Sequence, residues 1–121
     1  MKLQLNTQET LNLFTGYGAG FVEVNKTPYT HPLLMMGEQL TPWAVAGFDA
    51  LTPEDFAALL AHAPELVLFG SGDRLRFPHP RLLAALTNQG IGVEVMDTPA
   101  ACRTYNFLMA EGRRVLAVLL V

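Results

Sequence analysis

The stretch ELVLFGSGDRLRFPHPRLLAALTNQGIGVEVMDTPAACRTYNFLMAEGRRVLAVLLV, residues 65–121, decides how this chain folds. It opens on a short apolar run, Glu65–Phe69, that ends in Gly70-Ser71-Gly72, the pattern of a buried strand and its loop. Residues 80–89 carry Leu82, Leu83 and Leu86 and stop at Gly90, which predicts a helix with a glycine terminator. Val93–Met96 is a second apolar run. Thr98-Pro99 then opens a helix as cap and first residue, and Gly112 closes it. On that helix Ala101, Tyr105, Leu108 and Met109 recur at i, i+4, i+7 and i+8 and share one face. Val115–Val121 is a third run, of strand length. Strands and helices alternating every 25 residues or so predict βαβ units, with neighbouring parallel strands covered by helices.

Upstream, Leu51-Thr52-Pro53-Glu54-Asp55 supplies a cap, a first-turn proline and two acids suited to the positive end of a helix. Phe56, Leu59, Leu60 and Ala63 line its expected buried face, and Leu51 is placed to staple onto Phe56. Proline sits just inside the start of all three helices, at Pro53, Pro80 and Pro99. Residues 1–48 read as β. Gly20–Val24 alternates, Thr27–Tyr29 follows an Asn25-Lys26 turn, and Pro32–Met36 and Leu40–Ala44 bracket a Gly37-Glu38 turn. A small antiparallel meander is expected, packing on or extending the main sheet. Gly16-Tyr17-Gly18-Ala19-Gly20 reads as a loop, and Trp43 as a core or sheet-face residue. With 121 residues and no linker or repeat, the expectation is one domain over 1–121, mainly β to residue 48 and alternating α and β from 49.

Half the residues are apolar and 16% are charged, which excludes a disordered chain. No apolar run approaches the roughly 18 residues of a membrane span. The start, MKLQLNTQET, lacks the apolar core of a secretory signal. Cys102 is the one cysteine, so no internal disulfide forms, which fits a reducing compartment. A soluble, cytoplasmic protein is therefore expected. The net charge of −3 divides unevenly: residues 1–73 hold eight acids and two lysines, residues 74–121 six arginines and three acids. Arginine suits bidentate pairing with carboxylate or phosphate, here either the domain's own acids or a small anionic ligand. Six arginines on a net-acidic chain do not make a nucleic-acid binder.

The candidate ligand rim follows from the parallel strands. Gly70, Ser71, Gly72 and Asp73 follow a strand, where open α/β sheets collect ligands, and Arg74 and Arg76 come next; the same glycines also read as a plain structural turn. Asp97 and Thr98 end the next strand, and the free amides of the following helix would lie beside them. Cys102 and Arg103 sit in the first turns of that helix, where the helix end and the guanidinium would lower a thiol pKa, but Cys102 also borders the apolar face, where small buried cysteines are common. Asn106 lies two turns after Thr98, off the core face, and is expected to reach the same mouth. The rim lacks the third glycine of a dinucleotide fingerprint and the lysine of a phosphate-binding loop. The histidines, His31, His62 and His79, form no metal-ligand spacing and no base is aimed at Cys102, so no catalytic residue, metal or cofactor is assigned.

Residues 90–121 preceded by LFGSGDRLRFP at 68–78 resemble a family of small proteins of unknown function found in bacteria and archaea. The family includes the mitochondrial respiratory complex I (NADH dehydrogenase) assembly factor and an adipogenesis-associated mammalian protein. Asp97-Thr98, Ala101-Cys102-Arg103, Tyr105-Asn106 and Glu111-Gly112-Arg113 carry the likeness; Tyr17-Gly18, Val22–Asn25 and Trp43 fit it more loosely. Residues 30–33, Thr-His-Pro-Leu, depart from the glycine-serine turn the resemblance implies there. It implies a three-layer α/β/α domain around a central mixed sheet, and no catalytic residues to carry over. The leading expectation is a non-catalytic interaction or assembly module with a protein partner. The rival is a binder of a small anionic ligand, with or without enzymatic activity, at the 70–76/97–106 rim. A homodimer is compatible with the apolar content.

Overall fold

The computed structural model of the protein describes residues 11–121. The reading of Met1–Thr10 lies outside the described residues. Eight strands form two sheets. β1 (Phe14–Gly18), β2 (Phe21–Val24) and β3 (Thr27–Tyr29) make an antiparallel meander in that order. β4 (Leu33–Met36), β5 (Gln39–Pro42), β6 (Leu66–Gly70), β7 (Gly92–Met96) and β8 (Val115–Leu119) make a mixed sheet of order β5-β4-β8-β6-β7. β6 runs parallel to both β7 and β8, whereas β4 pairs antiparallel with β8 and β5. The N-terminal β region thus does two things: β1–β3 pack on the large sheet, and the β4–β5 hairpin extends it.

The large sheet is covered on both faces, which is why β8 reads as one apolar run. Val115, Ala117 and Leu119 enter one core with Leu33, Met35 and Leu68. Leu116 and Val118 enter the other with Leu34, Val67 and Phe69. Every residue of β8 is buried, as expected of a central strand with helices or sheet on each side. The first core is closed by the β1–β3 meander and by helix α3 (Thr98–Ala110), through Phe14, Val22, Val24, Ala101, Cys102 and Tyr105. The second is closed by helices α1 (Pro53–Ala57) and α2 (Ala84–Thr87) with their adjoining 3-10 turns, through Phe56, Leu59, Leu83 and Leu86. Trp43 lies in this second core, edge-on to Phe56 and Phe69. The result is a sheet between two layers, an α/β fold.

Local chemistry sets the elements. Thr52 and Asp55 form a reciprocal capping box with Pro53 at the first helical position. The Asn25-Lys26 turn has both φ values positive, 49° and 74°, the mirror-image turn whose twist suits a hairpin. Several expectations are corrected. The helix over 80–89 is a 3-10 turn at Pro80–Leu83 followed by the single α turn of α2. Ala63 is exposed and left-handed at φ 49°, ending the segment instead of lining its face. The 16–20 loop is in part a strand: β1 runs to Gly18 and pairs Gly16 with Glu23 and Gly18 with Phe21. Glycine is disfavoured in strands, but a Cβ on Gly18 would strike the Phe21 ring, so the cross-strand aromatic takes that space.

Candidate functional site

β6 and β7 lie side by side, and their exits diverge. β6 leads to the α1–α2 face and β7 to α3 on the opposite face, which is the topological switch point where open sheets form a crevice. Residues 70–72 and 97–98 do meet there, and they meet by bonding to each other. The Ser71 N–H donates to the Met96 carbonyl at 2.9 Å, and the Thr98 N–H to the Gly72 carbonyl at 2.8 Å. The Gly72 N–H donates back to Thr98 Oγ1 at 2.9 Å. That hydroxyl in turn donates to the Leu120 carbonyl at 2.7 Å, and the Leu120 N–H donates to Gly70 at 2.9 Å. Thr98 is thus a buried bolt joining three segments. A Cβ on Gly70 would fall 2.8 Å from the Thr98 hydroxyl and 2.7 Å from Leu119 Cδ2, so Gly70 packs the bolt and does not open towards a ligand.

This corrects the expected helix start. Asp97, not Thr98, is the N-cap of α3, accepting the Ala100 N–H on Oδ1 at 2.8 Å. The amides expected to be free are engaged: Thr98 bonds Gly72, Ala100 bonds the Asp97 carboxylate, Ala101 bonds the Asp97 carbonyl, and Pro99 has no N–H. The Asp97 carboxylate occupies the place an anion would take.

Of the remaining candidates, Ser71, Arg76, Arg103 and Asn106 are engaged, whereas the Asp73 side chain makes no hydrogen bond or ion pair among the described residues. Ser71 Oγ donates to the Arg74 carbonyl at 2.7 Å and accepts the Arg76 N–H at 3.0 Å, which winds the 71–76 loop around one hydroxyl. The Arg76 guanidinium lies 4.0 Å above the Phe48 ring and pairs with Asp49 at 3.0 Å. Arg103 is at the surface and donates to the Tyr17 hydroxyl at 2.7 Å, a bond that raises its already high pKa. Asn106 does not reach the mouth: its amide holds both the Phe14 N–H, at 2.9 Å, and the Phe14 carbonyl, at 2.7 Å, pinning β1 to α3. Arg113 pairs with Glu65, and Arg114 donates to the His62 and Ala63 carbonyls. Arg74 is exposed, without an ion pair among the described residues.

Cys102 is buried at 1% exposure in the first core. Burial pushes its thiol up to about 12, outweighing the nearby Arg103, so of the two readings the buried core cysteine holds and the activated thiol does not. An apolar cage excludes the thiolate more strongly than one surface cation stabilises it. The thiol is a core group. Tyr105, raised likewise by desolvation, accepts the Gly37 N–H on its hydroxyl at 3.0 Å and ties α3 to the β4–β5 hairpin.

A depression of about 590 Å³ opens beside this bolt. Gly72, Asp73 and Arg76 form one side, the Tyr17–Phe21 hairpin and Phe48 the others, with Thr98, Pro99 and Leu120 below. Of the candidates, Ser71, Gly72, Asp73, Arg76 and Thr98 line it, whereas Gly70, Arg74, Asp97, Cys102, Arg103 and Asn106 do not. Sequence reading missed Tyr17 and Phe48 on its wall. It also missed Leu75 and Phe77, which are 51% and 69% exposed on the loop after β6. The available signal was two large apolar residues flanking an arginine in a proline-bounded loop, without a strand or helix period to bury them. Among the described residues no group of three or more His, Cys, Asp or Glu side chains is placed to hold a metal, and no helix is long and apolar enough to cross a membrane.

Residues 14–120 match the family model described as protein of unknown function (DUF498/DUF598). Bovine NADH dehydrogenase (ubiquinone) 1 alpha subcomplex assembly factor 3 is 39% identical over 84% of this chain. The match spans only 55% of the bovine protein. An uncharacterised Rhodobacter capsulatus protein is also 39% identical, over 87% of this chain and 81% of its own length. A Bordetella parapertussis crystal structure superposes with a TM-score of 0.84 at 41% identity, covering 92% of this chain and 96% of that one. The chain belongs to the DUF498/DUF598 family.

Proposed function

We propose that this chain is a non-catalytic interaction module of the assembly-factor kind. One observation carries the reading: the Gly72, Thr98 and Ala100 amides, the Thr98 hydroxyl and the Asp97 carboxylate at the switch point are bonded to protein groups, while Leu75 and Phe77 project into solvent on the adjoining loop. An enzyme aims unspent acids, bases or amides at its substrate; here they hold the rim together. Exposed large apolar side chains gathered on one loop are instead a mark of protein–protein contact. Assembly-factor relatives support the same reading, for the part of their length that this chain matches. A reducing, cytoplasm-like setting is the one assumed.

The test is co-purification of tagged full-length chain from its native cells, beside a Leu75→Ser/Phe77→Ser double variant. A stoichiometric protein partner with the wild type, lost with the variant, supports the reading. Repeated recovery of the wild-type chain alone contradicts it. The second reading, a small anionic ligand in the depression, is favoured by its volume and by Arg76 on its wall. It is opposed by Asp73 on the same wall and by the Asp49 carboxylate that already holds Arg76. Thermal stabilisation by an anionic metabolite, abolished by Arg76→Ala, is the result that would favour it.

A further inference from the structure

We propose that β7 is a docking edge, and that its occupant is an extended segment of a protein partner with a cationic side chain opposite Glu94. This rests on the interaction-module reading in requiring a protein partner, and adds where that partner attaches and by what chemistry.

A sheet edge offers unpaired N–H and C=O groups to any strand that can lie beside it. Four strands lie at sheet edges among the described residues: β1, β3, β5 and β7. Three are obstructed. Asn106 occupies both backbone groups of Phe14 in β1. Pro28 sits in the middle of β3, and Pro42 ends β5, each without an N–H to give. β7, Gly-Val-Glu-Val-Met, has no proline.

Pairing with β6 decides which groups of β7 are spent. The Met96 carbonyl accepts the Ser71 N–H, so Met96 faces β6 and, by the alternation of a strand, so do the backbone groups of Glu94 and Gly92. Val93 and Val95 therefore turn their N–H and C=O groups outward, two donors and two acceptors in a row. Their side chains, with that of Ile91, pack part-buried against the second core, so an added strand would lengthen an apolar row. Glu94 stands exposed between them on the other face.

A second copy fits this edge poorly. The antiparallel register that uses every free group sets Val93 against Val95 of the other copy, which places Glu94 directly against its own equivalent. Like charges so opposed are destabilising. Sliding the register by two residues calls on Ile91, whose N–H is already given to Leu86, or on Asp97, whose carbonyl already accepts Ala101. A strand with lysine or arginine opposite Glu94 meets neither objection and gains a cross-strand ion pair.

The probes are two short capped peptides, one alternating valine with lysine and one alternating valine with glutamate, titrated into 15N-labelled full-length protein. The expected result is saturable amide shifts at Val93 and Val95, with the lysine peptide bound about tenfold more tightly than the glutamate peptide. Glu94→Lys, an exposed change that leaves the fold intact, reverses that order. Val95→Pro removes an outward N–H and abolishes binding of both peptides while the rest of the spectrum keeps its dispersion. Absence of saturable shifts, equal response to the two peptides, or dimerisation of the wild type through β7 overturns the proposal. Shifts confined to the Leu75–Phe77 loop overturn the edge assignment while leaving the interaction-module reading standing. Loss of any co-purifying partner would remove the latter separately.

Discussion

Gly70–Gly72, at the end of β6, and Leu75–Phe77, in the loop that follows, are built to opposite rules. In the first, the Ser71 and Gly72 amides and the Gly70 and Gly72 carbonyls are bonded to β7, to α3 or to the end of β8, the Ser71 hydroxyl is bonded within the loop, and a single added carbon at Gly70 would collide. In the second, two large apolar side chains face water around an arginine that is itself tied back to Phe48 and Asp49. The lesson is that Ser71, Thr98, Asp97 and Asn106, chemically suggestive in the sequence, are each bonded within the fold. Under the proposed reading, recognition falls to the apolar loop and to the β7 edge, which is unpaired among the described residues.

That contrast can be broken by substitution. The largest effect is expected at the bolt. Thr98→Val keeps the shape but strands the Gly72 N–H and the Leu120 carbonyl, and should lower unfolding free energy by about 3 kcal/mol in denaturant melts. Thr98→Ser, which keeps the hydroxyl, should recover most of it. Gly70→Ala overpacks the same point and should cost about 2 kcal/mol. Asn106→Leu removes two bonds to Phe14 and should cost about 1–2 kcal/mol, with hydrogen exchange quickening in β1 before the large sheet.

The Cys102 thiol sharpens the comparison through pH. Its folded pKa of about 12 lies above the ordinary 9.0, so the folded state holds the proton more tightly than the unfolded chain. The sign follows: this contribution to stability is complete below pH 9 and is lost as pH rises towards 12. Alkaline melts should show that decline, and Cys102→Ala should flatten it. At neutral pH a thiol reagent should label the unfolded chain and leave the native one largely unmodified. The smallest effect is expected at Arg103→Ala, whose bond to Tyr17 is at the surface; the unfolding midpoint should not move measurably.

The elements most legible in the sequence were those with unbroken apolar runs and hard punctuation. β6, β7, β8 and α3 announce themselves through Leu66–Phe69, Val93–Met96, Val115–Leu119 and the Pro99-to-Gly112 frame. Their parallel pairing, and so the meeting of 70–72 with 97–98, followed from spacing. Long-range bonds were not legible. Nothing local in Asn106 says that it will hold Phe14, since the partner lies 92 residues away in the sequence. Gly16 and Gly18 read as loop because their role depends on Glu23 and Phe21 across the strand. Thr98 looked like a cap because threonine before proline usually is one, but a buried acceptor at Leu120 claims its hydroxyl and leaves capping to Asp97. For Cys102 the sequence offered two readings, activation by the neighbouring Arg103 and burial on the apolar helix face; only packing, which buries it, decides for the second.

Residue-resolved amide hydrogen exchange at Gly72, Thr98 and Ala100 tests the closed rim most directly. The account predicts protection comparable to the central strands β6 and β8, unaltered when inorganic phosphate is added. Exchange as fast as in the exposed 75–77 loop, or protection that appears only with phosphate, would show these amides free to hold an anion and would contradict it.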